Sequence, residues 1–219
     1  MDQKLEREAI QQLRRSYGDV GLADIPADPF DLFHAWLKDG VSNPLIVEAN
    51  AMVLSTVDGD QPVSRTVLLK DAEKSFTFFT NYNSRKATEI SKSPHVSLLF
   101  PWYAMERQII VLGKAHKVSS EVSDQYFQTR PWGSQIGAWS SEQSQDLESR
   151  EDLDIRFREF AAKYPEGTKV PTPPHWGGYE VIPSSIEFWQ GRYSRLHDRV
   201  RYTIDLTDST IWNVKRINP

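Results

Sequence analysis

Short β-branched segments follow one another closely between residues 51 and 117, and they leave few folds open to the chain. The segments "AMVLSTV" and "PVSRTVLLK" are separated only by "DGDQ", a turn signal typical of a β-hairpin. Further strands are predicted at "SFTFFTNY", "HVSLLFPWY", "RQIIVLGKAHKV", "GGYEVIPSSIEFWQG", "RVRYTIDLT" and "IWNVKRINP". About eight sequential strands favour an antiparallel sheet, closed or partly closed into a β-barrel, over a parallel βαβ fold.

Helical patterns are inserted between these strands. "KLEREAIQQLRRSY" (4–17) predicts an amphipathic N-terminal helix. "DPFDLFHAWLKDG" predicts a second helix with Asp28 as N-cap, Pro29 at the first helical position and Gly40 as the stop signal. "SRKATEISKSP" predicts a short helix that is capped by Ser84 and ends before a proline.

The region 119–165 combines two further helical patterns with a polar segment. "SSEVSDQYFQTRP" predicts a helix that ends at Pro131, and "DLESREDLDIRFREFAAKYP" a longer one with Leu153, Phe157 and Phe160 on its buried side. "WGSQIGAWSSEQSQ" between them is rich in Gly, Ser and Gln and predicts a functional loop or a linker. The expected class is mainly β with inserted helices (α+β), and residues 1–219 are expected to form a single domain.

Composition and charge exclude several kinds of function. The 219 residues contain no cysteine, so disulfides, thiolate nucleophiles and Cys-ligated metal sites are excluded. The five histidines lack metal-ligand spacing, and a metal site is not expected. A formal net charge of −4 argues against general nucleic-acid binding. Without an apolar run of membrane-spanning length or a signal core, we expect a soluble cytoplasmic protein without a membrane partner.

Several groups could nevertheless bind a small phosphate. Arg65 and Lys70 are the first and last residues of "RTVLLK" and are expected to face opposite sides of a strand. They would therefore bind different ends of one elongated ligand, or two ligands side by side. Arg85 and Lys86 open a predicted helix, where the dipole already favours an anion; the alternative is a solvated helix start. Further candidates are Arg130, Ser134 and Tyr126, although an arginine at a helix C-terminus is also an ordinary dipole complement. For Gln108, Gln143 and Ser144, solvent exposure is the default expectation.

The segment "FWQGRYSRLHDR" (188–199) gathers arginines, a histidine and aromatic side chains near the C-terminus of an acidic chain. Exposed tryptophans are uncommon, and Trp189 could form a wall beside a flat ring. A flat, anionic ligand is one candidate explanation for this segment.

Several segments together resemble the pyridoxamine (pyridoxine) 5'-phosphate oxidases. They include "RTVLLK", "FTNYNSRKA", "ERQIIVLGKA", "YFQTRPWGSQIGAW", "PPHWGGY", "IEFWQGRYSRLHDR" and "RINP", and they extend over nearly the whole chain. "RPxxSQIGAW" and "EFWQGxxxRLHDR" are the most specific. The resemblance implies an FMN-binding split antiparallel β-barrel and a homodimer with FMN at the subunit interface. It further implies that residues 170–219 form a dimerisation and site region and that residues 1–20 include a helix and a flap over the active site.

The resemblance also implies an activity, namely FMN-dependent oxidation of pyridoxamine or pyridoxine 5'-phosphate by dioxygen. The product would be pyridoxal 5'-phosphate with hydrogen peroxide, plus ammonia from the amine, as in vitamin B6 salvage. FMN would be held by Arg65, Thr66, Val67, Leu68, Leu69, Lys70, Phe79, Thr80, Arg85, Lys86, Gln108, Gln143, Ser144, Trp189 and Arg199. Substrate would be held by Arg14, Tyr17, Lys70, Tyr126, Arg130, Ser134, Arg195 and His197, of which Arg195 and His197 would be catalytic.

Two alternatives stay open at this point. A flavin reductase would keep the barrel and FMN but change the substrate, and a carrier protein would keep the pocket without turnover. The joint presence of the six substrate residues from Lys70 to His197 argues against the reductase. The tripeptide Arg192-Tyr193-Ser194 stands where other residues are common in the family, so the resemblance assigns no role to Arg192.

Overall fold

The computed structural model describes residues 7–13 and 16–219. Its helices are α1 (Arg7–Gln12), α2 (Pro29–Ser42), α3 (Arg85–Lys92), α4 (Ser120–Gln128), α5 (Trp132–Ser140) and α6 (Arg150–Lys163). Its strands are β1 (Ala51–Asp58), β2 (Gln61–Leu68), β3 (Phe76–Asn81), β4 (His95–Trp102), β5 (Arg107–Lys117), β6 (Trp176–Gln190), β7 (Asp198–Ile204) and β8 (Trp212–Arg216). None of the helices described is both long and apolar enough to cross a membrane.

Within the described residues, all eight strands lie in one antiparallel sheet, which confirms the expected split antiparallel barrel architecture. The strand order is β2-β1-β4-β5-β6-β7-β8. β6 pairs along one edge with β5, while its other edge pairs first with β3 and then with β7. The chain after β2 meets β3 through an isolated bridge between Asp71 and Thr77, so the sheet curls into a barrel without a ladder that closes it.

Strand alternation fills the barrel interior. Met52, Leu54, Leu98, Phe100 and Phe188 are fully buried, and the side chains between them on the same strands face outward. α2 packs its apolar side against this core, where Phe33 contacts Phe76 and Phe100 edge-on. Burial of each such side chain stabilises the fold by about 1.5–3 kcal/mol, so the barrel is a firm frame for residues at its rim.

A second group of buried side chains joins α4, α5 and α6. Phe127, Ile136, Val170 and Trp176 form its centre, with Phe157 and Phe160 of α6 packed against it. The predicted apolar side of α6 thus faces this group, although its residues are half-buried rather than fully enclosed. This second group positions α4 and α5 beside the start of β6.

Two local predictions were wrong. Residues 132–140 form helix α5 rather than a loop, because Gln135 and Ile136 are buried against α4 and the Gln135 amide donates to the Phe127 carbonyl at 2.9 Å. α2 does not stop at Gly40 but continues to Ser42. Gly40 instead allows close packing, since a Cβ there would lie 3.4 Å from the Cβ of Ala49.

Other local predictions were confirmed. The Asp28 carboxylate caps α2 by accepting from the Phe30 amide at 2.8 Å. The hairpin turn between β1 and β2 contains Gly59 at φ +65°, a value that favours glycine. α1 covers part of the predicted N-terminal helix, and the flap predicted for residues 1–20 includes positions outside the described residues.

Candidate active site

A cavity of about 560 Å³ lies between β3 and the α4–α5 connection, and we call it the α5 cavity. The structure brings four predicted substrate residues together on its wall: Lys70, Tyr126, Arg130 and Ser134. The predicted cofactor residues Leu68, Phe79, Thr80 and Gln143 line the same cavity. Residues from four separate stretches of the sequence thus converge at one site.

Arg130 is the most unusual group in this cavity. Its guanidinium lies over the ring of Trp176, 4.8 Å from the ring centroid, and its Nη1 is buried without a hydrogen-bond partner among the described residues. Burial lowers the pKa of Arg130, although an arginine stays protonated near neutral pH. A buried cationic nitrogen without a partner is costly, so the site favours an incoming anion.

The start of α5 adds to this preference for an anion. Pro131 occupies its N-cap position and Ser134 lies in its first turn. Amide N–H groups in the first turn of a helix lack intrahelical acceptors, and the helix dipole places partial positive charge there. With Arg130 adjacent, the arrangement suits a phosphate group.

Aromatic rings also line the α5 cavity. Phe79 stacks on Tyr126 with ring centroids 4.1 Å apart, and on Trp176 at 5.4 Å. Lys70 Nζ lies 5.8 Å from the centroid of the Tyr126 ring. The cavity therefore combines positive charge with flat apolar surface.

A second cluster of positive groups surrounds the first turn of α3; it consists of Arg65, Arg85 and Lys86, and we call it the Lys86 cluster. Lys86 is buried, and its Nζ donates to Gln143 Oε1 at 2.7 Å and to Thr80 Oγ1 at 3.1 Å. Burial, with repulsion from Arg65, lowers the pKa of Lys86 to about 8. All three oxygens that Nζ contacts, including Ser84 Oγ, are neutral, and Glu89 attracts Lys86 without a hydrogen bond to Nζ. A phosphate dianion would therefore supply a countercharge in direct contact with Nζ.

Glu89 is the residue that organises this cluster. Its carboxylate is buried and accepts from Arg65 at 2.7 Å and from Arg85 at 2.8 Å. Glu89 relieves the unfavourable placement of cations at the start of α3. Sequence reasoning missed it, although its spacing of four residues from Arg85 on a predicted helix was a usable signal.

β2 and the two residues that follow it distribute the predicted cofactor residues over two faces. Arg65, Val67 and Leu69 share one face, where Arg65 pairs with Glu89, Val67 packs on the core and Leu69 is buried. On the other face, Thr66 is exposed and Leu68 and Lys70 reach the α5 cavity. Arg65 and Lys70 thus face opposite sides, as the alternation predicted.

A separate pocket of about 420 Å³ lies at the C-terminal end of β6, and we call it the β6-end pocket. It is lined by the predicted residues Tyr17, Trp189, Arg195 and His197, and also by Arg192. The rings of Trp189 and His197 have centroids 4.6 Å apart, and the Tyr17 ring lies 5.6 Å from that of His197. Arg14 falls outside the described residues.

His197 has a defined hydrogen-bonding state in this pocket. Its Nδ1 accepts from the backbone amide of Arg192 at 3.0 Å, so the neutral ring carries its proton on Nε2. Burial, and then the positive charge of Arg195, lower the pKa of His197. At neutral pH the ring is therefore a neutral donor through Nε2 rather than an acid.

The turn that presents Arg195 is strained. Ser194 and Arg195 both adopt left-handed conformations, with φ of +55° and +62°. Each such non-glycine residue costs about 1–2 kcal/mol, so the surrounding contacts must hold the turn in place.

Gln108, Trp189 and Arg199 lie side by side on neighbouring strands and share one face of the sheet. Arg199 donates to Glu187 Oε1 from two nitrogens, at 2.9 and 2.6 Å. Ser144 is exposed and adopts φ +74° just after Gln143. The predicted residues Gln108 and Arg199 thus lie beside Trp189 near the end of β6. Ser144 instead comes directly after Gln143, which contacts Lys86.

The α5 cavity and the β6-end pocket are far apart in one chain. Gly178, which pairs with Phe79, is separated from Trp189 by roughly 35 Å of β6 at about 3.3 Å per residue. In the described part of the chain, no group of His, Asp and Glu side chains converges as a metal site.

Comparisons with known proteins match almost the entire chain. A family model described as "Pyridoxamine 5'-phosphate oxidase" matches residues 42–164, and one described as "Pyridoxine 5'-phosphate oxidase C-terminal dimerisation region" matches residues 176–219. A protein of Streptomyces avermitilis named pyridoxine/pyridoxamine 5'-phosphate oxidase is 45% identical over 94% of this chain and 95% of its own length. A Burkholderia mallei protein of the same name is 48% identical over 96% of this chain and 99% of its own.

Solved structures show the same architecture. PhzG from Burkholderia lata, in complex with tetrahydrophenazine-1-carboxylic acid, has a TM-score of 0.84 at 28% identity and covers 92% of this chain and 99% of its own. An FMN-binding protein related to pyridoxamine 5'-phosphate oxidase, from Nostoc punctiforme, has a TM-score of 0.70 at 16% identity and covers 89% of this chain and 100% of its own.

Proposed function

The chain belongs to the pyridoxamine 5'-phosphate oxidase family, and from that premise we propose that it binds FMN and makes pyridoxal 5'-phosphate. The substrate is pyridoxamine or pyridoxine 5'-phosphate, and dioxygen is the oxidant. The amine reacts with O2 and water to give the aldehyde, ammonia and hydrogen peroxide; the alcohol gives the aldehyde and hydrogen peroxide.

The observation that carries this proposal is the buried Nη1 of Arg130, which has no partner among the described residues and lines a cavity at the start of a helix. Lys70, Tyr126 and Ser134 line the same cavity, and all three can donate to a phosphate oxygen. Their arrangement supports recognition of a phosphate ester of a flat ring, because the Phe79–Tyr126 stack lines the same cavity.

The Lys86 cluster supports a second phosphate position, that of FMN. Lys86, Arg65 and Arg85 would hold it, with Gln143 and Thr80 as further polar contacts. When bound, FMN supplies the redox chemistry by taking a hydride equivalent from the substrate carbon and passing two electrons to dioxygen. What remains for the protein is to bind and orient the two ligands.

The separation of the two pockets supports a site shared between two copies of the chain. One copy would contribute the α5 cavity and the Lys86 cluster, and the other would contribute Trp189, Arg195 and His197. The match of residues 176–219 to a dimerisation region favours the same arrangement. We therefore include a homodimer with FMN at its interface in the proposal.

Holding the substrate by its phosphate fixes the ring relative to the reacting groups, so orientation would supply much of the rate enhancement. Arg195 would guide the hydrogen that leaves the reacting carbon of the substrate, and a guanidinium is poorly suited to serve as a base. His197 would donate from Nε2, since its Nδ1 is engaged by the Arg192 amide.

A single experiment tests the proposal. The purified protein is saturated with FMN, and the oxygen-dependent formation of pyridoxal 5'-phosphate is followed from each phosphorylated substrate, with unphosphorylated pyridoxine as control. Turnover of a phosphorylated substrate is expected. A yellow protein without turnover would leave the carrier alternative, and flavin reduction by a nicotinamide without oxidation of either substrate would favour a reductase.

A further inference from the structure

The segment 16–22, which we call the strap, crosses the end of β6 and lies against the residues 192–198, which we call the catalytic turn. The Gly18 amide donates to Glu106 Oε2 at 2.9 Å, and the Gly18 carbonyl accepts from the Tyr193 amide at 3.1 Å. The Leu22 amide donates to Asp198 Oδ2 at 2.9 Å. The strap is therefore tied to the catalytic turn at both of its ends.

Arg192 connects the two segments through its side chain. Its Nη2 lies 2.7 Å from Asp19 of the strap, and its Nη1 lies 3.6 Å from Asp198 of the turn. The side chain of Arg192 is 33% exposed and that of Asp198 20%, so this pair is partly shielded from water, whereas Asp19 is 70% exposed. A Cβ at Gly21 would come within 2.9 Å of Asp198 and 3.5 Å of Arg192, which shows how closely the strap passes over the pair.

The backbone of Arg192 has its own contact with the site. Its amide donates to His197 Nδ1, and the two left-handed residues Ser194 and Arg195 follow two and three positions later. A strained turn persists only where neighbouring contacts fix its ends. Arg192 supplies such a contact at one end, and Asp198, held by Arg216 at 3.1 Å, supplies one at the other.

We propose that Arg192 is a positioning residue that latches the strap onto the catalytic turn and thereby holds Arg195 and His197 in their working positions. Its kinetic consequence rests on the proposed function, whereas the latch itself does not. The strap also brings Tyr17 against Trp189 and His197, so the latch closes one side of the β6-end pocket.

Four variants test the latch: Arg192→Met, which keeps an unbranched apolar side chain of similar reach, Asp19→Asn, the double variant, and Arg192→Lys. Arg150→Met serves as the matched control, because Arg150 also pairs with an aspartate, Asp154, at 3.1 Å but lies on α6. NMR-detected hydrogen exchange is measured at the amides of Gly18, Leu22 and residue 192. We expect exchange about tenfold faster in Arg192→Met and in Asp19→Asn, no further increase in the double variant, and no change in the control.

Steady-state kinetics test the positioning role. For the FMN-saturated enzyme with pyridoxamine 5'-phosphate, we expect kcat/KM to fall about tenfold in Arg192→Met while the FMN dissociation constant changes less than about twofold. Arg192→Lys should recover most of the loss, since it restores a positive charge beside Asp19.

Unchanged amide exchange in Arg192→Met would overturn the latch. Faster exchange with unchanged kcat/KM would overturn the positioning role, and a matching loss of FMN affinity would assign Arg192 to cofactor binding. If the wild-type protein does not oxidise the substrate, the proposed function fails, but the latch is still tested. The backbone amide of residue 192 donates to His197, so its hydrogen exchange in Arg192→Met shows whether the Arg192 side chain holds the histidine in place.

Discussion

Replacing Arg130 with methionine should weaken binding of the phosphorylated substrate without lowering the stability of the apoprotein. Methionine keeps a flexible apolar side chain against Trp176 but removes the cation whose Nη1 has no partner in the described structure. A hydrogen bond to a charged group contributes about 1.5–3 kcal/mol, which corresponds to a roughly 10- to 150-fold change in affinity. We expect the KM for pyridoxamine 5'-phosphate to rise by that factor.

The same change should not destabilise the apoprotein. In the absence of an anion the buried Nη1 is desolvated without a hydrogen bond, which opposes the stabilising contact of the guanidinium with the Trp176 ring. Loss of the cation therefore relieves a cost, and methionine retains most of the packing on Trp176. We expect the Tm of Arg130→Met apoprotein, measured by calorimetry, to equal or exceed that of the wild type. Arg156→Met is a suitable control, since Arg156 also has a buried unpaired Nε but pairs with Glu142 at 3.0 Å outside the α5 cavity.

Comparison of substrates provides the refuting result. The loss should be confined to phosphorylated substrates, and activity on unphosphorylated pyridoxine, if measurable in the wild type, should be unchanged. Equal losses on both substrates, or a Tm lower by more than about 5 °C, would mean that Arg130 supports the fold through its contact with Trp176 rather than a phosphate.

Three further perturbations have defined outcomes. Lys86 is protonated below its pKa of about 8 and neutral above it, so the FMN dissociation constant, measured by fluorescence, should rise up to about tenfold in the pH unit above that pKa. Lys86→Met should bind FMN weakly at every pH in that range; the same rise of the dissociation constant with pH in this variant would contradict the assignment. Glu89→Gln should lower the free energy of unfolding by about 3 kcal/mol, or Tm by roughly 6–12 °C, because it leaves two arginines around an uncharged buried group; an unchanged Tm in calorimetry would refute this. Gly113→Ala should lower the free energy of unfolding, measured by urea denaturation, by about 1–3 kcal/mol, because its Cβ would overlap the Ile182 carbonyl at the bulge between β5 and β6. Gly137→Ala in α5, where a Cβ meets nothing, should instead raise it by about 0.5–1 kcal/mol. Equal effects of the two substitutions would exclude the bulge as the cause.

Local signals predicted most of the fold. The Asp28 cap and the Gly59 turn depend on residues adjacent in sequence, and the strands are marked by β-branched alternation. α5 was missed because Gly133 and Gly137 have poor helix propensity, and the helix depends on burial of Ile136 against α4, a contact that local sequence does not reveal.

The residues of the candidate site were predictable from the sequence, but their proximity in space was not. The resemblance identified the groups that converge in the α5 cavity, but the spacing of Lys70 and Arg130 along the chain carries no information about their proximity. Glu89 could have been found by its helical spacing from Arg85. The pair between Asp19 and Arg192 joins residues 173 positions apart, and only folding brings them together.

The length of β6 between the two pockets has a genetic consequence. In a dimer whose sites are shared as proposed, an inactive Arg130 variant and an inactive Arg195 variant would carry their defects in different halves of each site. A mixed dimer then contains one site with both defects and one site with neither. Two null alleles expressed together would thus restore activity, up to about a quarter of the sites under random pairing.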